Sequence, residues 1–371
     1  MKIGILTWHY YLNFGSALQA YALKRLLESC SDNEKYNVSI INYRNPKHGN
    51  PSKLKNACRL LASYVFSKKG IVLGRHITYP FLRFHKDYLK LGKSFTSSER
   101  LIKVSKKYDV IVCGSDQIWA PSVFNPIYLL DFVSNRTRKV SYAASIGLDY
   151  IPEELVVQYN ELLKSFSAIS VREEKGKELL EERCGIISSV VLDPTLMIDI
   201  NEWKKLERRP TDISFDFEKP FLFCYFLNAN NTYKKSVIDY AQRNGLQIVG
   251  YSLNPKDSSY IYDIKQWIGP REFLWILGRA DVVVTDSYHG TIFSLLNQKQ
   301  FVTFKRFSDQ DPICQNSRIN QLVSYFGINE RVVTGDVDTI EIAMINYDEI
   351  NKKLRDLRKE SYEFIKGSLG E

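Results

Sequence analysis

No apolar run in this 371-residue chain approaches the roughly 20 residues that a membrane-crossing helix needs. The opening Met1-Lys2-Ile3-Gly4-Ile5-Leu6-Thr7 reads as a strand. It lacks the basic start, long apolar core and small-residue cleavage site of a secretory signal. Cysteine is scarce. The six present are scattered, with no Cys-x-x-Cys pair and no histidine partner at zinc-ligand spacing. That excludes a disulfide framework and a structural zinc, predicts no bound metal, and places the protein in a reducing cytoplasm. Cys113 and Cys224 fall inside expected strands, where buried thiols are common. Walker A and the dinucleotide G-x-G-x-x-G are both missing, which excludes ATP and NAD sites of those kinds. No helix-turn-helix, zinc-finger or RNA-recognition signature occurs, and no short-period repeat.

What is present is a globular composition, 44% apolar and 25% charged, in a length that suits two domains better than one core. Charge is unevenly spread. Residues 44–107, which read as a basic helical insert in the first domain, hold 16 Lys or Arg against two acids, Asp87 and Glu99, a net of +14 where the whole chain carries +9. Aromatic residues, among them Tyr64, Phe66, Phe81 and Tyr88, are interleaved with the basic ones. Such a block suits nucleic acid, anionic lipid or an anionic substrate, or is a solvated face without a partner. With no nucleic-acid signature beside it, the expectation is peripheral contact with an anionic membrane surface and no nucleic acid.

Apolar runs ending in polar or small residues recur along the chain. Lys2–Thr7 is a strand, Ala17–Leu27 a helix rich in alanine and leucine, and Tyr36–Tyr43 a strand. Strand, loop, helix, strand is a βαβ unit, which implies a right-handed crossover and a parallel sheet. Tyr108–Cys113 is a buried strand that ends in Gly114-Ser115-Asp116-Gln117-Ile118-Trp119. In open α/β sheets ligands bind at that carboxyl end. Asp116 there serves as general base, orients a hydroxyl, or hydrogen-bonds its own turn. Val140–Gly147 ends in small residues, and Ala168–Val171 leads into Arg172, placed to fork onto a carboxylate or phosphate or to pair with Glu173 or Glu174. The charged run from Asp199 to Lys219 reads as the passage into a second domain with the same alternation, closed by a long helix over 341–366.

The most informative stretch is Asp281–Leu296. Three valines mark a strand buried on both faces, and Asp286 and Ser287 are good helix N-caps. His289 then falls in the first helical turn. Free N–H groups, the helix dipole and an imidazole meet at one point, a ready anion site. The plain alternative is capping alone.

These strings together resemble the polysaccharide pyruvyl transferase family. The landmarks, in family order, are Asn13–Leu23, Gly114–Trp119, Tyr142–Gly147, Ser170–Glu173, Asp193–Leu196, Asp286–Thr291, and Arg318 with Arg331. The resemblance implies an α/β fold of two doubly wound Rossmann-like domains facing across a cleft, similar to the GT-B type. Residues 1–197 would form the first and 198–371 the second, with the C-terminal helix packing back on the first. It also implies transfer of the carboxyethylidene group of phosphoenolpyruvate, as donor substrate with no further cofactor, to two hydroxyls of a sugar. The setting is cell-surface polysaccharide biosynthesis, and the acceptor a sugar, oligosaccharide or lipid-linked glycan. His289, Asp116 and Arg172 are the implied catalytic residues. Asn13, Gly15, Gln19, Ser115, Ser145, Asp286, Ser287, Gly290, Thr291 and Arg318 are the implied substrate contacts. Two other readings stay open: a GT-B glycosyltransferase using a nucleotide sugar, and a non-catalytic carbohydrate-binding or assembly protein.

Overall fold

A computed structural model of the chain describes residues 1–31, 36–45, 78–211, 213–228, 233–252, 259–265, 268–311, 313–334 and 340–370. Half of the basic block, residues 46–77, lies outside them, and so does the expectation of a basic helical face there. Its described remainder is helical over 78–89 and again at Ser98–Ser105.

Two parallel sheets organise the molecule. In the first, β1 (Lys2–Leu6), β2 (Asn37–Ile40), β3 (Val110–Cys113) and β4 (Arg138–Ser141) lie in the order β2-β1-β3-β4. Backbone bonds from Ser141 N to Ala168 O and from Arg172 N to Ala144 O continue it to β5 (Ser170–Val171), which pairs with β6 (Ser189–Val190). The second sheet uses β7 (Phe221–Phe226), β8 (Gln247–Ser252), β9 (Tyr262–Asp263), β10 (Val282–Thr285), β11 (Gln300–Phe304) and β12 (Val332–Val333). Their order is β12-β11-β10-β7-β8-β9. The central strands β3, β7 and β10 are buried at every position, as continuous apolar runs in a doubly covered parallel sheet must be. Strand order reverses direction between β1 and β3 in one sheet and between β7 and β10 in the other. Those two switch points are where such sheets open a crevice at their carboxyl ends.

Helices cover both faces. In chain order they are α1 (Phe14–Ser29), α2 (Ser98–Ser105), α3 (Glu153–Leu163), α4 (Glu174–Cys184), α5 (Pro194–Met197), α6 (Ile200–Leu206), α7 (Lys234–Arg243), α8 (Pro270–Arg279), α9 (Tyr288–Leu296), α10 (Ser317–Tyr325) and α11 (Tyr347–Leu369). Three differ from the sequence reading. α1 starts three residues early, because Asn13 accepts from Ser16 N at 3.1 Å and caps it there. The charged passage from Asp199 contains α6, capped by Asp199 and anchored by the buried Trp203. The final helix begins at Tyr347, where Asn346 caps it, and not at residue 341. Among the described residues no helix is long and apolar enough to cross a membrane.

The two sheets share a core. One apolar cluster runs unbroken from Ile3 and Ile5 through α1 to Phe223, Phe273 and Val283. Phe14, at the first turn of α1, is its hinge pin. Its ring centroid lies 4.6 Å from that of Phe273, 4.9 Å from Tyr251 and 5.5 Å from Tyr225, all on second-sheet elements. Full burial of one phenylalanine is worth about 1.5–3 kcal/mol. α11 then returns across the first sheet's layer. Arg358 donates to the carbonyls of Leu196 and Ile198, Tyr362 to Ser29 O, and Ser361 Oγ accepts from Leu192 N.

Candidate active site

The loops that leave β1, β3, β7, β10 and β11 converge on one pocket of about 440 Å³, lined by Trp8, Tyr11, Leu12, Asn13, Ser16, Asp116, Gln117, Val123, Leu227, Ser287, Tyr288, His289, Arg306 and Arg318. It lies at both switch points at once, so each wall belongs to a different sheet.

The first wall is built by side-chain bonds that fix loop to loop. Gln19 reaches back from α1 and donates to Thr7 Oγ1, Trp8 O and Ser16 O. Thr7 in turn donates to Ser115 O, so the turns after β1 and β3 move as one. Asp116 holds a left-handed backbone with φ +72°, costly for any residue but glycine and a common mark of functional loops. Its carboxylate accepts from Ser16 Oγ at 2.6 Å and from Gln117 N at 2.9 Å.

The second wall is the turn from β10 into α9. Ser287 caps α9 by accepting from Gly290 N. Asp286, fully buried, accepts from Leu227 N at 2.7 Å and Asn228 N at 2.9 Å, and so clamps the loop after β7. Burial pushes its carboxyl up to about 6, against the opposing pull of Arg306 and those backbone donors. Gly290 is needed for closeness: a methyl group there would stand 2.3 Å from Thr285 Oγ1. Gly15 has the same role across the divide, since its methyl would stand 2.2 Å from His289 Nδ1. The imidazole of the second half therefore lies directly on the backbone of α1.

Behind His289 is a residue that the sequence reading listed only as a landmark. Asp193 is wholly buried, 3.7 Å from His289 Nε2, and accepts from Arg172 Nη1 at 2.8 Å, Ser115 Oγ at 3.2 Å and Thr195 Oγ1 at 2.6 Å. Burial alone would raise its carboxyl. His289, then Arg172 and Thr195, overcome that and hold it well below the usual carboxylate range. Arg172 stands in this second layer and not on the pocket lining, its guanidinium 4.4 Å from the centroid of Tyr288.

Cations are crowded here. Arg318 is buried beside Arg172 and Arg306, and burial followed by these two like charges pushes its guanidinium down to about 9. Gln315 Oε1 accepts from Arg318 at 2.8 Å and Arg306 at 3.4 Å, and from Gln117 of the opposite wall at 3.0 Å. Among the described residues Arg172 Nε and Nη2, Arg318 Nε and His289 Nε2 are buried without a hydrogen-bond acceptor. Buried donors of this kind cost stability unless a ligand fills them.

Of the residues singled out in the sequence, Asn13, Asp116, Ser287, His289 and Arg318 line the pocket. Gly15, Gly290 and Ser115 sit immediately behind it. Gln19, Ser145, Asp286 and Thr291 point away into the supporting structure, where each side chain is already engaged. Ser145 Oγ donates to Glu173, and Thr291 Oγ1 bonds Ser287 O and Thr303 Oγ1. These four hold loops in place.

A sequence model of the polysaccharide pyruvyl transferase family matches residues 13–306, most of the chain. The chain belongs to that family. Three stretches inside the match, around Asn13, Asp116 and His289, line the pocket together, and Arg306, where the match ends, lines it too. No curated protein sequence matches the chain. Among solved structures, a UDP-GlcNAc 2-epimerase from Methanocaldococcus jannaschii is 15% identical, with 96% of this chain and 92% of that one covered and a TM-score of 0.51. One from Neisseria meningitidis, bound to UDP-GlcNAc, is 12% identical, covering 98% and 100%, with a TM-score of 0.48. ADP-heptose heptosyltransferase II of E. coli is 10% identical, covering 97% and 99%, with a TM-score of 0.41. The architecture of this pyruvyl transferase family member is thus of the GT-B type, as its sequence implies. Asp193, Tyr288, Arg306 and Gln315 went unassigned in the sequence. Only Asp193 and Tyr288 lie inside a family string, and that was the one signal available for them.

Proposed function

We propose that the chain transfers the carboxyethylidene group of phosphoenolpyruvate to two hydroxyls of one sugar, forming a cyclic ketal and releasing phosphate. What carries this reading is the crowding of Arg172, Arg306 and Arg318 beside His289 and the N-terminus of α9, with buried N–H donors left unfilled. Like charges so arranged are stabilised by a compact polyanion, and phosphoenolpyruvate offers both a phosphate and a carboxylate.

The chemistry fits the two walls. A proton is added to the methylene carbon of the enol, which leaves the adjacent carbon electron-poor. A sugar hydroxyl attacks that carbon while a base takes its proton, phosphate leaves with the bonding electron pair, and the second hydroxyl closes the ring as its proton passes to the released phosphate. Arg318 and Arg306 hold the anionic ends. His289, with the Asp193 carboxylate behind it to stabilise a positive imidazole, contacts phosphate or delivers the proton. Asp116, across the pocket, takes the hydroxyl proton, and Ser16 fixes the orientation of its carboxylate. The rival glycosyltransferase reading draws on fold alone, and fold does not carry function.

The test is release of inorganic phosphate from phosphoenolpyruvate with a panel of sugars, followed by mass analysis of the sugar. The expected product is an acid ketal. Turnover of a nucleotide sugar, with phosphoenolpyruvate left untouched, gives the case to the glycosyltransferase.

A further inference from the structure

The pocket is chemically divided. Both guanidinium groups and the imidazole on its lining come from the second half, as Arg306, Arg318 and His289, while the first half supplies Trp8, Tyr11, Leu12 and Val123 around Asp116. Trp8 and Tyr11 are only partly buried, and Leu12 is 43% exposed. Large rings left open to a pocket are uncommon unless they have a ligand to cover. These rings are also held still. Trp8 meets Tyr11 edge-on, with centroids 5.4 Å apart and planes at 77°, and meets Tyr128 at 6.4 Å and 82°. Tyr10 stands against Tyr11 from the other side at 4.5 Å and donates its hydroxyl to that of Tyr11. Trp8 is tied through its carbonyl to Gln19.

We infer that Trp8 and Tyr11 form the acceptor subsite, a platform that takes the apolar face of a single terminal pyranose ring and turns its hydroxyls toward Asp116. This rests on the pyruvyl-transfer reading for what happens to the sugar, and on the wall itself for the sugar's binding. A pyranose has C–H bonds on one face and hydroxyls around its rim, so it suits a fixed aromatic surface bordered by a carboxylate. The anionic donor has no reason to choose that wall, and the cationic wall opposite has none to choose a neutral ring. About 440 Å³ holds the donor and one ring, which is why the inference is limited to a terminal residue. Burial pushes the Tyr11 phenol up, so the platform stays uncharged at neutral pH.

Methyl glycosides with free 4- and 6-hydroxyls are the probes, read two ways: phosphate release with phosphoenolpyruvate, and saturation-transfer NMR of the glycoside alone. Trp8→Leu and Tyr11→Leu should each raise the glycoside KM by about tenfold, while the phosphoenolpyruvate KM stays within about twofold. Trp8→Phe should recover most of the loss, which a folding defect would not allow. If wild type turns over and the leucine variants keep the glycoside KM, or lose donor affinity instead, the platform is overturned and the pyruvyl-transfer reading stands. If wild type releases no phosphate but binds a glycoside that Trp8→Leu no longer binds, the reading falls and the platform stands. Absence of both signals overturns both.

Discussion

His289 lines the pocket and Asp193 is buried behind it, and their substitutions should part company. His289→Ala should lower turnover by about 10²–10⁴, and the change in melting temperature should be small because Arg172, Ser115 and Thr195 still partner the Asp193 carboxylate. His289→Gln keeps a hydrogen-bonding group but carries no proton at neutral pH. Recovery of phosphoenolpyruvate binding without turnover would identify the imidazole as the acid. Recovery of both would make it a phosphate contact. Asp193→Ala should instead destabilise the fold markedly, because it strands Arg172 in the interior. Breaking a buried ion pair costs about 3–5 kcal/mol, readable in a urea titration. Arg318 supplies the pH dependence. Its guanidinium has been pushed down to about 9, so it is charged below that value and neutral above. A bound anion favours the charged form and raises it again. Donor affinity should therefore be level at neutral pH and decline as pH rises through about 9. Binding above that point should take up a proton, visible by calorimetry in buffers of different ionisation enthalpy. Arg318→Lys, with its own ammonium in the same crowd, should not restore the forked contact.

The elements themselves were largely readable, and the site only in part. Val282–Thr285 and Val110–Cys113 announce themselves because a strand buried on both faces has no polar position to spare. The short strand read from Ala168 is there as β5, though only two residues long, tied to the end of β4 and to β6. Local strings also revealed Asp116, Ser287 and His289, since caps and turns are settled within a few residues. Asp193 could not be read that way: its partners Ser115, Arg172 and His289 come from three separate strand ends. Gln315 and Gln117 meet from almost opposite parts of the sequence, and nothing in either neighbourhood signals it. Gly15 is where the two kinds of information cross. It is legible as a loop glycine, yet its purpose is the imidazole of a helix more than two hundred residues away. Gly15→Ala should favour α1 by up to about 1 kcal/mol of helix propensity and still displace His289. The overlap with the buried ring offsets that gain, so we expect a melting temperature at or below wild type with turnover down about 10²-fold. Added to His289→Ala, the same change should cost nothing further, because the group it displaces is gone.

At the scale of the whole molecule, Phe14 decides how the halves behave. A GT-B outline suggests two bodies hinging about a cleft, but hinging needs an interface that separates cheaply. Here α1 lies inside an apolar cluster common to both sheets, and α11 is bonded across the layer of the first. Phe14→Ala should remove about 3–5 kcal/mol and leave a single cooperative unfolding transition, with no second step for the other half. Resolved melting of two units in scanning calorimetry would show that the shared core is not the main tie. The arrangement also bears on how the protein is made. A nascent chain emerges from the ribosome N-terminus first, at about 5–20 residues per second. Phe81 reaches Phe14 early, but Tyr225, Tyr251 and Phe273, and the helix that bonds Ser29 and Leu192, are translated later. For tens of seconds α1 has its first-sheet neighbours beside it, β2 and the helix over 78–89, but not the second-sheet side of its core. A message cut short before Tyr347 would thus damage a part made long before it, since Leu192 and Ser29 would lose their bonds to the last helix.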